Sequence, residues 1–549
     1  MWAIPGAILT VAAILSPPME GLPGGDPGNT GLSKSQVESG PWTSDPWPEL
    51  DRVGRIEAEA LVVESLESME GHANAGGNPA KPIRTRFLLV HGERSRNELL
   101  HAGTVLDRAV QRMNTLMEEE ADHARVALVG GDDHGREAGV GIGRVRVRTR
   151  GEERPAGRPL RQAPCYDRMK NLGAVFGQKA GWERPNWFAP QGTSQEDDWS
   201  FRRSAWFENV GNECRNVAEN VGLLDMTAFA KCRISGSGAE AFLDRLIANR
   251  LPKSIGRVNL CHALNSKGGV HSEFTILRER EDSFYLVSAG VYQRLDHDWL
   301  WRNMPQDGSV QMVNLTNAKG VLVVAGPNSR ILMQRVSDAN FENNAFPWLS
   351  ARDITVGQAM LTALRVNYVG ELGWELHHEI EYQNHIFDAL MVAGEDLGLK
   401  PFGIRAMDSL RYEKSYRMVG TELSIEYSAY ESGLDRFVYP DKGDFIGRNA
   451  LLAWRDKGFS NTFVTMEVHG TTDADALGNN PIYAGDDLVG RATGGNYGFR
   501  TGKSLALGMV SPELAAVGTE LRMNILGTDH EVTIIPESPY DPKNEKLRA

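Results

Sequence analysis

The sequence predicts an α/β (α+β) region followed by a small C-terminal antiparallel β-barrel, with a poorly ordered N-terminal part. Changes of pattern along the 549 residues carry this prediction. From Pro17 to about Leu160 the chain is rich in glycine, proline and charge and lacks long apolar periodicity, which is typical of a segment that buries no core. From Arg161 onward, aromatic clusters and alternating strand and helix periods follow one another. Beyond Leu452, short strands bounded by glycines replace the helices, as in a small barrel.

These changes divide the chain into a leader (1–160), an aromatic-rich connector with a helix (161–221), an α/β region (222–451) and a barrel (452–549). Within the leader, apolar residues recur at helical spacing over 101–125, which predicts one isolated amphipathic helix. The glycine repeat from Gly139 to Gly143 lacks the final glycine of a nucleotide-binding loop and no helical pattern follows it. We therefore reject a nucleotide site there.

Apolar spacing predicts the elements of the folded region. The predicted helices lie near 206–221, 242–247, 295–299, 386–391 and 405–416. The predicted strands of the α/β region are 229–234, 273–277, 284–288, 310–315 and 321–324, and the second and third form a hairpin. The predicted barrel strands are 463–468, 488–491, 505–509, 521–525 and 532–535.

Composition excludes several classes of protein. A formal net charge of −13 argues against a duplex nucleic-acid binder, because neutralising phosphates needs a dominant basic face. The apolar run from Ala7 to Leu15 is too short to cross a bilayer, and the sequence predicts no membrane association. The 4 cysteines show no metal-ligand spacing, so we expect no metal and a reducing compartment, the cytoplasm or alternatively the mitochondrion.

The segment from Tyr368 to Leu376 places Glu371 directly after a glycine, between flanks that alternate like strands. A carboxylate held there accepts two parallel hydrogen-bond donors from a ligand. A hairpin with a solvated glutamate is the alternative. Trp374 is expected to close the core behind Glu371.

Several motifs occur in one order over about half of the chain and resemble a known family. They are Gly173-Ala174-Val175-Phe176-Gly177, Trp182-Glu183-Arg184-Pro185, Arg202-Arg203-Ser204-Ala205-Trp206-Phe207, Val323-Val324-Ala325-Gly326-Pro327, Tyr368-Val369-Gly370-Glu371, Asp408-Ser409-Leu410-Arg411, Lys442-Gly443-Asp444-Phe445-Ile446-Gly447-Arg448 and Ala506-Leu507-Gly508. The chain resembles the glycine cleavage T-protein (aminomethyltransferase) family, and most closely the folate-binding C-terminal half of dimethylglycine and sarcosine dehydrogenases. The resemblance implies a T-protein-like folate-binding region followed by the barrel.

In such dehydrogenases a flavin domain precedes the folate half. Residues 1–160 lack the strand followed by Gly-x-Gly-x-x-Gly that binds a dinucleotide, so FAD is not supported within this chain. Two explanations of the leader stay open: a rearrangement that joined an unrelated segment to the folate half, or a start site placed upstream of the true one.

The resemblance also implies a catalytic carboxylate. T-proteins usually carry an Asp-Asp pair after a Gly-Gly turn, whereas here Gly268-Gly269-Val270-His271 leads to Ser272-Glu273. Glu273 takes the place of the second carboxylate, with a structural salt bridge as the alternative. The serine at 272 favours capture of formaldehyde or an iminium over the T-protein's release of ammonia from a lipoyl carrier.

Four further residues are implied to bind the cofactor, tetrahydrofolate. Glu371 is expected to grip the pterin, and Tyr368 either stacks or hydrogen-bonds beside it or is a core tyrosine. Arg411 faces the carboxylate tail of folate or, alternatively, pairs with Asp408 three residues earlier. Arg365 is a candidate of the same kind. His271, His377 and His378 are interpreted as surface residues or neighbours of ligand-binding ones.

These expectations combine into one function: tetrahydrofolate-dependent capture of a formaldehyde or iminium unit, released by oxidation of an N-methyl amine of the dimethylglycine or sarcosine type, as methylenetetrahydrofolate. The expected partners are folate, a small methylated amine or its one-carbon product, and a separate flavoprotein. The alternatives are a non-catalytic folate-binding sensor or assembly protein, and the folate subunit of a flavoprotein.

Overall fold

The chain folds into two compact units, Met1–Arg148 and Thr149–Ala549. The structure, a computed structural model, describes residues 157–196 and 200–549 in full and strands of the first unit by their backbone. Those strands are β1 (Ile56–Glu64), β2 (Arg86–Arg94), β3 (Arg125–Leu128) and β4 (Gly141–Arg144). In this unit β1 pairs with β2 and β3 pairs with β4, both antiparallel. Apart from these strands and residues 157–160, the segment 1–160, which the sequence predicts to be disordered, lies outside the described residues. The helix predicted at 101–125 lies outside them as well, except for its last residue, which begins β3.

The helices of the second unit confirm each predicted helix and add others. They are α1 (Tyr166–Asn171), α2 (Trp206–Glu219), α3 (Ala239–Leu246), α4 (Gln293–Asn303), α5 (Ser329–Val336), α6 (Gln383–Ala393), α7 (Ile404–Tyr412) and α8 (Arg448–Lys457). The expectation that helices stop at Leu452 is wrong by several residues, because α8 continues to Lys457 before Gly458 ends it with a positive φ of 92°. None of the described helices has the length and apolar character needed to cross a bilayer.

The aromatic-rich connector forms a hairpin of two antiparallel strands, β5 (Ala174–Lys179) and β6 (Trp182–Phe188). Its Val175 and Trp187 are buried in one cluster with Val210 and Cys214 of α2. The tryptophan-rich motif therefore packs over a core, as expected from its aromatic content.

The first sheet is antiparallel and positions the candidate catalytic residue. Its five strands lie in the order β12 (Gln311–Asn314), β8 (Ala230–Ser235), β11 (Ser283–Ser288), β10 (Val270–Arg280) and β9 (Val258–Leu264). The predicted hairpin is confirmed by the antiparallel pairing of β10 with β11. One face of this sheet packs against apolar residues of α3 and α4, including Phe242, Leu246 and Leu300.

The second sheet has six strands and is covered on both faces. Their order is β14 (Ala351–Val356), β15 (Ala359–Leu364), β16 (Gly373–Glu379), β13 (Lys319–Ala325), β7 (Val221–Asp225) and β17 (Leu399–Pro401). On one face, Trp374 and Leu376 join a core with Ile386 of α6, and this confirms the core position predicted for Trp374. On the other face, Val323 packs with Leu410 of α7.

The C-terminal strands close into a six-stranded barrel, as predicted. Its order is β18 (Thr462–Val468), β21 (Lys503–Val510), β20 (Asp487–Gly498), β19 (Pro481–Ala484), β22 (Glu520–Ile525) and β23 (Thr528–Ile535). The sequence did not predict β19, whose Ile482 is buried in the barrel interior. The α/β region followed by a barrel is thus confirmed, whereas the exact domain boundaries stay predictions.

Candidate functional site

Glu273 lies on β10 directly opposite His262 of β9 in the antiparallel register. Its Oε2 is 2.8 Å from His262 Nε2, and the glutamate side chain is 20% exposed whereas the histidine is fully buried. The Nδ1 atom of His262 is buried without a hydrogen-bond partner among the described residues. Glu273 is therefore a carboxylate that reaches solvent and that no Lys or Arg pairs with in the described part of the chain. The structural salt bridge weighed for Glu273 is not formed with a Lys or Arg side chain of the described residues, and its contact is with an imidazole.

The opposite face of the same strand is anchored by a buried carboxylate. Asp296 of α4 accepts hydrogen bonds of 2.6 Å from Ser272 to Oδ1 and of 2.6 Å from Ser288 to Oδ2. Burial raises the pKa of Asp296 to about 6, and the two serine hydrogen bonds oppose this rise. The serine that replaces the family's first aspartate thus binds an aspartate supplied by a helix.

Tyr368 is half-buried, and its hydroxyl donates a hydrogen bond to the carbonyl oxygen of Arg417. Burial raises the pKa of Tyr368 well above its usual value, with the charge of Arg411 opposing the rise and that of Glu273 adding to it. The charges of Glu273 and Arg411 therefore act in opposite directions on the pKa of this tyrosine. Its ring lies 5.6 Å from that of Tyr416.

Arg411 is buried among acceptors of its own chain. Its Nε lies 2.7 Å from Asp408 Oδ1, and its Nη1 lies 2.9 Å from the Tyr416 carbonyl and 3.4 Å from Glu422 Oε2. The Asp408 to Arg411 pair considered from the sequence is therefore present. These partners neutralise the guanidinium, so its described contacts support a structural role.

Arg365 holds the chain's C-terminal residues. It donates hydrogen bonds of 2.7 Å to the Phe346 carbonyl and 2.9 Å to that of Ala549, and its guanidinium lies 5.8 Å from the Trp374 ring centre. Burial lowers the pKa of Arg365 to about 10, with the nearby Arg330 adding to the effect. Its partners thus differ from those of the residues around Glu273.

Glu371 is buried at the contact between the second sheet and the segments around the barrel. Its Oε1 accepts hydrogen bonds of 2.8 Å from Arg500 and 2.7 Å from Tyr540. Arg500 also binds Glu413 with an Nε to Oε2 distance of 2.6 Å. Burial raises the pKa of Glu371, while Arg500 and Tyr540 oppose the rise. This buried network supports a bracing role for the glutamate on which the sequence placed the pterin.

Glu375 of β16, four residues after Glu371, is a different kind of carboxylate. Its Oε2 lies 3.2 Å from His377 Nε2, and His377 Nδ1 lies 3.1 Å from the hydroxyl of Tyr285. The Glu375 side chain is 10% exposed, and its Oε1 makes no hydrogen bond to described residues. Side chains alternate along β16, so Glu375 and His377 lie on one face of the sheet, and Trp374 and Leu376 lie on the other. This alternation was legible in the sequence.

Two of the three histidines interpreted as surface residues or neighbours of ligand-binding ones lie in the protein interior. His377 and His378 are both buried, so the surface alternative is wrong for them. Burial lowers the pKa of His377, which favours the neutral ring, and the hydrogen bond to Glu375 opposes this shift. His271 is half-buried, with its ring centre 5.0 Å from that of Trp299. No group of three or more metal-ligating side chains that could hold an ion occurs among the described residues.

Two protein-family models match the α/β region and the barrel of this chain. The model of the GCVT N-terminal domain matches residues 165–442, and that of the glycine cleavage T-protein C-terminal barrel domain matches residues 461–541. The chain belongs to the glycine cleavage T-protein family. The family predicted from the motifs is confirmed, and the chain carries a folate-dependent aminomethyltransferase-type domain of a family that binds tetrahydrofolate.

Two relatives and one solved structure are similar to this chain. Dimethylglycine dehydrogenase, mitochondrial, of Homo sapiens is 36% identical over 389 residues, which cover 70% of this chain and 45% of the relative. The 4-methylaminobutanoate oxidase (formaldehyde-forming) of Paenarthrobacter nicotinovorans is 30% identical over 394 residues, which cover 72% and 48%. The crystal structure of glycine cleavage system aminomethyltransferase T from Bartonella henselae shares the fold, with a TM-score of 0.60, 21% identity and coverage of 70% of this chain and 99% of that one. The chain spans about half the length of the curated relatives it matches.

Proposed function

We propose that this chain captures a formaldehyde or iminium unit on tetrahydrofolate and releases methylenetetrahydrofolate. The observation that carries the proposal is the state of Glu273, a carboxylate that is 20% exposed and whose described partner is an imidazole rather than a Lys or Arg side chain. Such a carboxylate keeps its charge available to accept a proton or to stabilise a nearby cation. When bound, tetrahydrofolate supplies the nucleophilic nitrogens to which the one-carbon unit is joined.

The replacement of the first family carboxylate supports formaldehyde or an iminium as the incoming unit. Ser272 donates its hydroxyl proton to Asp296, 2.6 Å away on the far side of the strand. Glu273 is then the carboxylate that this strand offers on the exposed side. The name of the bacterial relative describes a formaldehyde-forming oxidase, which agrees with capture of that product here.

For the pterin ring we propose Glu375 and Tyr368. Glu375 has one oxygen bound to His377 and the other without a hydrogen bond to described residues, so it retains an acceptor for a ligand donor. Tyr368 offers a half-buried aromatic ring in the field of Glu273. Glu371, the sequence-based candidate, has the charge of Arg500 against it at 2.8 Å, and we assign it to bracing. The contacts of Arg411 and Arg365 favour a structural role for each in the same way.

We also propose that the one-carbon unit comes from oxidation of an N-methyl amine. We propose that a separate flavoprotein performs this step and that the present chain receives its product. Mixing the purified chain with a flavin-dependent amine oxidase tests this. Product must form faster than in reactions to which formaldehyde is added at the same steady concentration. Equal rates would show that no direct transfer occurs.

We further propose a cytoplasmic location, although the human relative is named as mitochondrial. Fractionation of cells that express the full chain with a C-terminal tag decides the matter. Recovery of the tag with a mitochondrial matrix marker would contradict the proposal.

The central experiment combines binding with turnover in the full chain. Calorimetric titration with tetrahydrofolate measures affinity, and formation of methylenetetrahydrofolate from added formaldehyde is followed against the uncatalysed rate. The proposal expects both binding and acceleration. Binding without acceleration would identify the sensor alternative, and no binding would overturn the proposed function altogether.

A further inference from the structure

His262 is a buried ring that touches the proposed proton acceptor from the neighbouring strand. It is 0% exposed, and its Nε2 lies 2.8 Å from Glu273 Oε2. We propose that His262 is the positioning residue for Glu273: a neutral imidazole that donates its Nε2 proton to one carboxylate oxygen and leaves the other free for chemistry. This inference rests on the proposed role of Glu273 and adds a residue to it.

The protonation of the ring follows from its second nitrogen. His262 Nδ1 is buried and has no hydrogen-bond partner among the described residues. An imidazolium would carry a proton on that atom and leave a buried N–H unsatisfied, which is costly. A neutral ring protonated at Nε2 leaves only a lone pair there. The contact with Glu273 is therefore a hydrogen bond from a neutral donor rather than an ion pair.

The surroundings of the ring agree with a neutral state. The Phe437 ring meets it edge-on at 5.2 Å between ring centroids, and the guanidinium of Arg436 lies over the Phe437 ring, 4.9 Å from its centroid. The adjacent Cys261 is buried, and burial raises its pKa, with Lys442 opposing and Glu273 and Asp244 adding to the shift. The charge of Glu273 also acts on Tyr368, whose burial raises its pKa; the charge of Arg411 opposes that rise, and those of Glu273, Glu422 and Asp408 add to it.

This geometry assigns proton exchange and positioning of the carboxylate to two different residues. A ring that relays protons needs a partner at each nitrogen, and His262 lacks one at Nδ1 among the described residues. Glu273 is then the group that exchanges protons with a ligand, whereas His262 fixes the carboxylate plane. Ser272 and Asp296 hold the same strand from its other face, so the carboxylate is fixed on a doubly anchored strand.

The tautomer is directly measurable without any bound folate. Nitrogen-15 NMR of the full chain labelled at histidine, with the His262 signals assigned by their loss in His262→Gln, reports the proton on each ring nitrogen. We expect a neutral ring protonated at Nε2, and a changed Nε2 shift in Glu273→Gln. A cationic ring, or a proton on Nδ1, would overturn the proposal whatever the enzyme's activity.

Turnover supplies the second test. His262→Leu removes the donor and is expected to lower kcat for methylenetetrahydrofolate formation by about tenfold, the usual effect of losing a hydrogen bond to a charged group, with little change in KM for tetrahydrofolate. His262→Gln keeps an N–H donor and should recover most of that loss. His385→Gln, at an exposed histidine of α6 whose ring nitrogen lies 3.3 Å from the Val356 carbonyl oxygen, is the control outside the site.

The outcomes separate the two proposals. Equal losses in His262→Leu and His262→Gln, with thermal unfolding unchanged, would show that the donor is irrelevant and would contradict the positioning role. Full activity in His262→Leu would do the same. If the unmodified chain and Glu273→Gln both run at the uncatalysed rate, the proposed function fails, while the NMR measurement still decides the state of His262.

Discussion

Glu371 and Glu273 are glutamates of two different sheets, and their surroundings give them different capacities. Glu371 is 2% exposed and is bound by Arg500 at 2.8 Å, whereas Glu273 is 20% exposed and is bound by His262 at 2.8 Å. A guanidinium keeps its charge at every physiological pH, so it permanently neutralises the carboxylate that it holds. A neutral imidazole orients a carboxylate without cancelling its charge. We infer that the partner, more than the glutamate's motif, separates the bracing role proposed for Glu371 from the catalytic role proposed for Glu273.

Glu375 is a second glutamate whose described partner is an imidazole. Its Oε2 is 3.2 Å from His377 Nε2, and Tyr285 binds the other ring nitrogen at 3.1 Å. Both nitrogens of His377 are therefore satisfied, unlike those of His262. The two histidine-bound glutamates differ in how firmly the ring is anchored, and both differ from Glu371 in lacking a cationic partner among the described residues.

The largest expected effect tests whether the buried ion pairs of Arg500 stabilise the fold. Arg500→Met leaves the buried carboxylates of Glu371 and Glu413 without their cation, and the free energy of unfolding should fall by about 4 kcal/mol. Urea unfolding of the two proteins measures this difference. Arg294→Met removes an exposed arginine from its pair with Asp298 and should leave the unfolding midpoint unchanged. A small effect of Arg500→Met would remove the contrast between the two glutamates.

The second prediction concerns the anchor behind Glu273. Burial raises the pKa of Asp296 to about 6 from a reference of 3.8, so the folded state binds this proton more tightly than the unfolded state. The stability that this group contributes is complete below the unfolded pKa and is lost as pH rises through about 6, a change of about 3 kcal/mol. Asp296→Asn should lack this pH dependence.

Urea unfolding at about pH 4 and about pH 7 measures the Asp296 effect, taken as the difference between the original chain and the variant. Asp298→Asn is a control of opposite sign, since Arg294 lowers the pKa of that exposed carboxylate. A difference between chain and Asp296→Asn that does not change with pH would show that Asp296 is not held as a buried acid.

The third prediction distinguishes the glutamates as ligand groups. Glu375→Gln removes one anionic acceptor from the proposed pterin site, and tetrahydrofolate affinity should fall about tenfold, the value of a hydrogen bond to a charged group. Glu371→Gln should leave the affinity of the folded protein close to normal. Calorimetric titration of both variants decides it: the reverse order of effects would restore the assignment of the pterin to Glu371.

Much of this fold was legible in local patterns, because strands and helices with one buried face carry their period in the sequence. The hairpin of β10 and β11 and the closed barrel are examples. The strand β19 was missed because it begins with Pro481 after Asn479 and Asn480 and shows only a short apolar period.

The site was harder to predict because partners come from distant parts of the chain. Arg500 lies 129 positions from Glu371 and Tyr540 lies 169 positions away, so no local pattern marks Glu371 as a brace. Glu273 is a prediction from its motif, whereas its contact with His262 became visible only from the register of β9 and β10, which pairs the two residues. A motif locates a carboxylate, and tertiary contacts decide its chemistry.

The central claim is that Glu273 carries the one-carbon chemistry, and one comparison of rates tests it most directly. Methylenetetrahydrofolate formation from formaldehyde is measured for the full chain, for Glu273→Gln and for Glu279→Gln, a glutamate of the same strand with similar exposure (22%) that is paired with Arg233. We expect Glu273→Gln to lose about a hundredfold in kcat and Glu279→Gln to match the unmodified chain. Equal rates for all three proteins would contradict the claim.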